Sequence, residues 1–172
     1  MKIYSENRKA DFNYEILEKF EAGIVLFGQE VKSIKTGHIN LAGSYVTLAS
    51  GSTPTNFGVR SKQKQNLTGG KKLVGVEPYL TGVKVPPYQP NNAGADYNEE
   101  RQRKLLLNKK EIDYLIGKTK VKGFSLIPLK IYEKNGRIKL EFGLAKGKRK
   151  YDKKEKIKKR DIERDTNREL SE

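Results

Sequence analysis

Between two runs of alternating apolar residues stands Asn135-Gly136, a dipeptide that commits a chain firmly to one local shape. A two-residue hairpin loop of type I′ needs positive φ at both central positions, which asparagine tolerates and glycine adopts freely. With these residues as the loop, Lys134 faces Arg137 and the register follows along both arms. Ile131 then lies opposite Leu140, Leu129 opposite Phe142 and Ile127 opposite Leu144. One face of the hairpin is apolar, while the other carries Lys130 opposite Glu141 and Tyr132 opposite Lys139, as suits a strand pair at the wall of a core. The alternation then stops. Lys146 to Arg160 holds ten Lys/Arg against Asp152 and Glu155, so a packed hairpin hands over to a cationic arm. That is a binding device.

Charge says what such a device would bind. Lys+Arg number 36 against 21 Asp+Glu, a formal +15. Lys146 to Glu172 contains twelve basic and seven acidic residues, leaving +5 on the tail and +10 on the rest. An excess spread over body and arm points to a polyanion. At 172 residues the length fits one domain with a tail, residues 1–150 as body and 151–172 as basic extension. The absence of Cys excludes disulfides and thiolate metal sites. No apolar run approaches the roughly 20 residues that span a bilayer, and no apolar signal core follows the first residues, so a cytoplasmic protein without a membrane partner is expected.

Along the chain, Tyr14 to Leu26 reads as a strand with Tyr14, Ile16, Phe20 and Ala22 on one side and a bulge or bend at Gly23. Gln29 to Lys35 fits a helical turn with Val31 and Ile34 on one face, stopped by Gly37. Leu41 to Ala49 reads as a second strand, with Leu41, Tyr45 and Thr47 on one side. From Ser50 to Glu100 the pattern weakens into Gly, Asn, Pro, Ser and Thr, consistent with a strand–loop–strand excursion, and 51–85 is its atypical part. Asn108, with Glu111 three residues on, makes a capping box for a helix through Ile116, closed by Gly117. The tail has only Ile157, Ile162 and Leu170 as large apolar residues, too few to offset the entropy of ordering itself; it is expected to be disordered alone and helical on a partner.

Catalytic constellations do not assemble. His38, the single histidine, sits in an apparent turn. Glu99-Glu100 lacks apolar surroundings that would raise a carboxyl pKa. Gly143-Leu-Ala-Lys-Gly147-Lys148 has three residues between its glycines rather than four, no Ser/Thr after the lysine, and leaves a strand for a tail; it is not a phosphate loop. Binding without catalysis or cofactor is the expectation. Arg8-Lys9, Arg101, Arg103, Lys104 and the Lys146–Lys150 run, which includes Lys148 and Arg149, are clusters suited to phosphates. Nine Tyr and six Phe leave rings for stacking on unpaired bases. Short strands, a bent first strand and a capping helix are features of an OB-like antiparallel β-barrel with flanking helices, a common RNA platform.

Four runs in order carry a specific resemblance: NRKA at Asn7 to Ala10, FEAGIVLFGQEVKSIKTG at Phe20 to Gly37, RQRKLLLNKKEI at Arg101 to Ile112, and GLAKGKRKYDKK at Gly143 to Lys154. Over roughly 7–49 and 86–165 the chain resembles the SsrA-binding protein family. The resemblance implies an OB-like barrel that binds the tRNA-like domain of transfer-messenger RNA. It implies delivery of that RNA, alanylated and with elongation factor Tu, to stalled ribosomes. There the tail would enter the vacant mRNA path near the small-subunit decoding region. Asn7, Glu21, Leu106, Gly147 and Lys148 fall on family positions tied to RNA. Glu21, being anionic, would accept from a base or ribose or orient a neighbouring cation. Asp152-Lys153-Lys154 matches the tail motif that serves tagging, and Lys158, Lys159 and Arg160 extend it. Lys154 stands where the family usually has Arg, Gln102 replaces a customary Pro, and 51–85 does not match. The competing expectation is a ribosomal structural protein, or another general RNA-binding protein, with a basic extension.

Overall fold

The structure, a computed structural model, describes residues 2–50, 75–90, 97–121 and 123–148, together with Thr166. In chain order the elements are β1 (Lys2–Glu6), α1 (Ala10–Asn13), β2 (Tyr14–Ile24), α2 (Gly28–Lys35), β3 (Tyr45–Ser50), β4 (Val76–Thr81), β5 (Arg103–Leu106), α3 (Lys109–Thr119), β6 (Phe124–Lys134) and β7 (Arg137–Gly147). The fold is mainly β with short helices. All strand pairings are antiparallel, in the order β1-β6-β3-β4-β5-β2-β7, with β6 also paired to β7.

Near the turn the hairpin has the expected register. Asn135 and Gly136 have φ of 53° and 73°, and Ile131, Tyr132 and Lys130 pair with Leu140, Lys139 and Glu141. Beyond Lys130 the expected register is corrected. Leu129 is bulged, so Pro128 rather than Leu129 faces Phe142, and Leu126 rather than Ile127 faces Leu144. Proline has no N–H to give the ladder, and a bulge is where a strand tolerates it. Asn7 takes up the carbonyls released there. Its backbone N–H donates to Leu129 O at 2.7 Å and its side-chain amide to Pro128 O at 3.0 Å. The extra residue turns Ile127 and Leu129 away from the main core and into a small cluster with Ala10 and Ala145.

A second bulge, at Leu17, corrects the reading of β2. It sends Tyr14 and Ile16 to the small cluster under α1, while Phe20 and Ala22 face the main core with Leu140 and Phe142. No register shift falls at Gly23, so of the expected bulge or bend the bulge is not there. Gly23 pairs with both Lys139 of β7 and Leu106 of β5, and the Leu106 side chain lies 3.4 Å from where a Cβ would stand. Between the two bulges lies Gly143, whose Cβ would meet Ile16 Cγ2 at 2.8 Å and Glu18 O at 3.2 Å. Gly143→Ala is therefore expected to destabilise the fold by about 1–3 kcal/mol, the usual cost of overpacking. A urea unfolding midpoint equal to wild type would refute this.

Other boundaries shift for local reasons. The second strand begins at Tyr45, not Leu41. Leu41 is buried in the preceding turn, where Ser44 Oγ donates to its carbonyl at 2.6 Å, so it does not share a strand face with Tyr45. The capping box forms as read, with Asn108 N–H donating to Glu111 Oε2 at 2.9 Å. Helix α3 nevertheless runs through Gly117 to Thr119, its last carbonyls partly satisfied by Thr119 Oγ1, which donates to Leu115 O at 2.8 Å. In the weak stretch β4 is a strand, and Asn40 bridges to Lys84; residues 51–74 of the expected excursion lie outside the described residues. Strand β1 and helix α1 had no sequence expectation.

Candidate nucleic-acid interface

Period-two alternation on β2, β5, β6 and β7 sends one set of side chains to the core and the other outward. Around Glu21 the outward set from three strands converges. Its carboxylate accepts from Lys139 Nζ, from the Tyr132 hydroxyl and, at 3.0 Å, from Lys134 Nζ. Those hydrogen bonds, Lys139's first, then Tyr132's and Lys134's, lower its pKa from 4.5 to about 2. Burial foremost, and then the hydrogen bond to Glu21, raise the Tyr132 phenol. Glu141, the cross-strand partner of Glu21 on β7, holds Lys130 at 3.0 Å and Lys19 at 3.8 Å. A carboxylate offers about four lone-pair sites, and three donors already occupy those of Glu21. The carboxylate thus holds two ammonium groups and one phenol in place.

A second group of the same kind lies on β4 and β5. Lys104 Nζ meets Glu77 at 2.5 Å, and the Tyr79 hydroxyl donates to the same carboxylate at 2.7 Å. Lysine foremost, then tyrosine, lowers Glu77. Leu106 stands between the two groups, facing outward over Gly23 and 56% exposed, so it is not a core residue. The outer face thus presents ammonium groups held by glutamates around one exposed leucine.

The other expected residues separate into two places. Arg103 is 0% exposed. Its Nε donates to Glu30 Oε1 at 3.1 Å and its Nη atoms to the carbonyls of Val83, Arg101 and Glu99. Arg101 shares Glu30 through both Nε, at 2.9 Å, and Nη2, and lies over the Phe27 ring, 4.1 Å from its centroid. Expected as phosphate ligands, these guanidinium groups are instead committed to Glu30, which is itself 0% exposed. Asn7 is buried at the Leu129 bulge, its amide donors directed to Pro128 and Leu41 carbonyls.

Arg8 and Lys9 are exposed at the start of α1. Lys148 is pinned beside them, its N–H donating to Asn13 O at 3.0 Å and its Nζ to Asp11 O at 2.9 Å. Gly147 has no atom within 4 Å of a notional Cβ, so the fold does not require glycine there. An open groove of about 750 Å³ runs between α1, β3 and the start of β6, lined by Lys9, Asn13, Tyr14, Tyr45 and Phe124 among others. Arg149, Asp152, Lys153, Lys154, Lys158, Lys159 and Arg160 lie outside the described residues. Sequence reading missed Lys134, Lys139 and Tyr132 as a group; extending the hairpin register to the neighbouring strand β2 would have found them. Among the described residues no helix is long and apolar enough to cross a membrane.

The Glu21 carboxylate gives a titration prediction. Because its folded pKa lies below the ordinary 4.5, its stabilising contribution is present above that value and is lost as pH falls through about 2. Tyr132→Phe is expected to raise the Glu21 midpoint, read from its carboxyl carbon chemical shift. An unmoved midpoint would remove Tyr132 from the network.

Comparison with known proteins adds the family context. The chain matches the SmpB protein family model over residues 4–68 and 58–172. It is 39% identical over 170 residues to the SsrA-binding protein of Thermosynechococcus vestitus, covering 99% of this chain and 95% of that one. It is 41% identical over 169 residues to that of Carboxydothermus hydrogenoformans, covering 98% and 96%. Among solved structures it superposes on a chain described under "tmRNA-SmpB: a journey to the center of the bacterial ribosome". That match has a TM-score of 0.57 and 38% identity, covering 89% of this chain and 93% of that chain.

Proposed function

Because the chain belongs to the SmpB protein family, we propose that it binds the tRNA-like domain of transfer-messenger RNA and brings it to stalled ribosomes for trans-translation. The observation that carries this reading is the outer face of β5, β2, β7 and β6. There Lys104, Lys134 and Lys139 are held by Glu77 and Glu21 around the exposed Leu106. Lysines pre-set by carboxylates lose little freedom on meeting phosphates, and an exposed leucine can pack on a sugar or an unstacked base. The footprint continues along β2 to Gly147 and Lys148. The nine steps from Tyr14 to Gly23 span about 30 Å at strand rise, a length suited to a structured RNA rather than one nucleotide. Gly147, free of packing demands, allows close backbone approach, with Arg8 and Lys9 alongside.

In this reading the platform is an OB-like barrel, a reading supported by the β6–β7 pairing that links six of the strands in a ring with β1 outside it. Asp152-Lys153-Lys154, with Lys158, Lys159 and Arg160, serves the ribosome rather than RNA capture, entering the empty mRNA path and coiling there. Elongation factor Tu accompanies the alanylated RNA, and the chain itself performs no chemistry in the cytoplasm.

Gel-shift competition tests the reading. Transfer-messenger RNA is expected to outcompete ordinary tRNA, and binding to weaken steeply with salt as several phosphate contacts require. Equal affinity for a random transcript at physiological ionic strength would defeat it.

A further inference from the structure

We propose that Glu30 and Arg103 fix the register of β5 and thereby determine which side chains that strand turns toward RNA. They are positioning residues: neither reaches the outer face. Strand β5 is four residues long, with only two paired positions toward β2 and two toward β4. A ladder so short specifies register weakly, and a slip by one residue would exchange inner and outer faces. Strands ordinarily resist this through their apolar pattern. Within the strand, Arg103-Lys104-Leu105-Leu106 offers a cation followed by one leucine in either parity, so hydrophobicity does not choose.

Arginine geometry does choose. Arg103 spends Nε on Glu30 and its Nη atoms on three carbonyls, a set that a three-donor ammonium at position 104 could not reproduce. Glu30 is itself oriented as the N3 residue of α2, accepting from Phe27 N–H at 2.7 Å. The helix therefore reads the strand through one carboxylate. A buried ion pair used to specify register is the best-attested reason for such a pair to exist. With Arg103 inside, Lys104 and Leu106 are outside; with Lys104 inside, both would leave the face that carries Glu21.

The RNA consequence rests on the proposed function, whereas the register itself does not. The experiment uses the full chain carrying Glu30→Gln and Arg103→Gln, which removes the ion pair and the guanidinium fork while leaving one polar residue and one leucine in either parity of the strand. Two sets of amide resonances are expected for Gly23, Tyr79, Lys104 and Leu106, with the Gly23–Leu106 cross-strand NOE weakened. Affinity for the tRNA-like domain is expected to fall about tenfold, as for loss of a central contact. Adding Leu106→Lys, which confines leucine to one parity of the run, should restore a single resonance set. If the double variant does not fold, recovery of folding by the added Leu106→Lys supports the proposal, and failure to recover overturns it. A folded double variant with one resonance set and the NOE intact also overturns it. A wild-type chain without preference for that RNA defeats the proposed function and leaves the resonance counts standing.

Discussion

Truncation after Lys150 is expected to leave affinity for transfer-messenger RNA within a few-fold of wild type while abolishing tagging of stalled peptides. The RNA face proposed above lies wholly on the body. Lys104, Lys134, Lys139 and Leu106 are held by β4–β7 and β2, and Lys148 is anchored to Asp11 and Asn13 before the cut. What truncation removes is a run with Lys153, Lys154, Lys158, Lys159 and Arg160, whose proposed place is the ribosome's own RNA. Losing these cations should flatten the salt dependence only slightly if they do not neutralise phosphates of the captured RNA. Filter binding on the truncated chain, beside a tagging assay in extract, measures both halves. A large affinity loss, or tagging that persists, would show that body and tail do not divide the work this way.

Glu30→Ala is expected to destabilise the protein by about 3–5 kcal/mol, the range for stranding one partner of a buried ion pair. Arg103 would keep its neutral carbonyl acceptors but lose the counter-charge for a guanidinium with 0% exposure. Burial already lowers the Arg103 pKa, and Glu30 is the main influence opposing that shift. Urea unfolding followed by circular dichroism tests the magnitude. The contrast with a Glu30→Met and Arg103→Met double variant is informative, because it leaves only Arg101, whose side chain is 18% exposed, without its carboxylate and should cost less. Equal losses in the two variants would mean that volume, not charge, sets the stability here.

What sequence reasoning could reach follows the range of the interactions concerned. Asn135-Gly136 dictates its own turn, and Asn108 with Glu111 closes its own cap, because both interactions lie within four residues. The hairpin register held until Leu129, where the outcome depends on Asn7, far away in sequence, which grips the Pro128 and Leu129 carbonyls. Pro128 was a local warning that the ladder would break, but not on which side the extra residue would fall. Arg101 and Arg103 look like surface cations in a string of Lys and Arg; only their meeting with Glu30 on α2 makes them interior groups. Leu106 shows the reverse. Nothing in three consecutive leucines distinguishes the exposed one, and its position emerges from pairing with Gly23. Glu21 was singled out by resemblance, whereas its lysine and tyrosine partners required β2 and β7 to be placed side by side.

The clasp on Lys148 has a mechanical corollary. With both its amide and its ammonium tied to the end of α1, Lys148 is a fixed point of departure for the chain that follows. Twenty-four residues follow, long enough to reach about 80 Å fully stretched but only about 36 Å when coiled. Coiling in the ribosome would therefore act as a winch, reeling the tip toward the anchored body by roughly 40 Å and drawing the cargo after it.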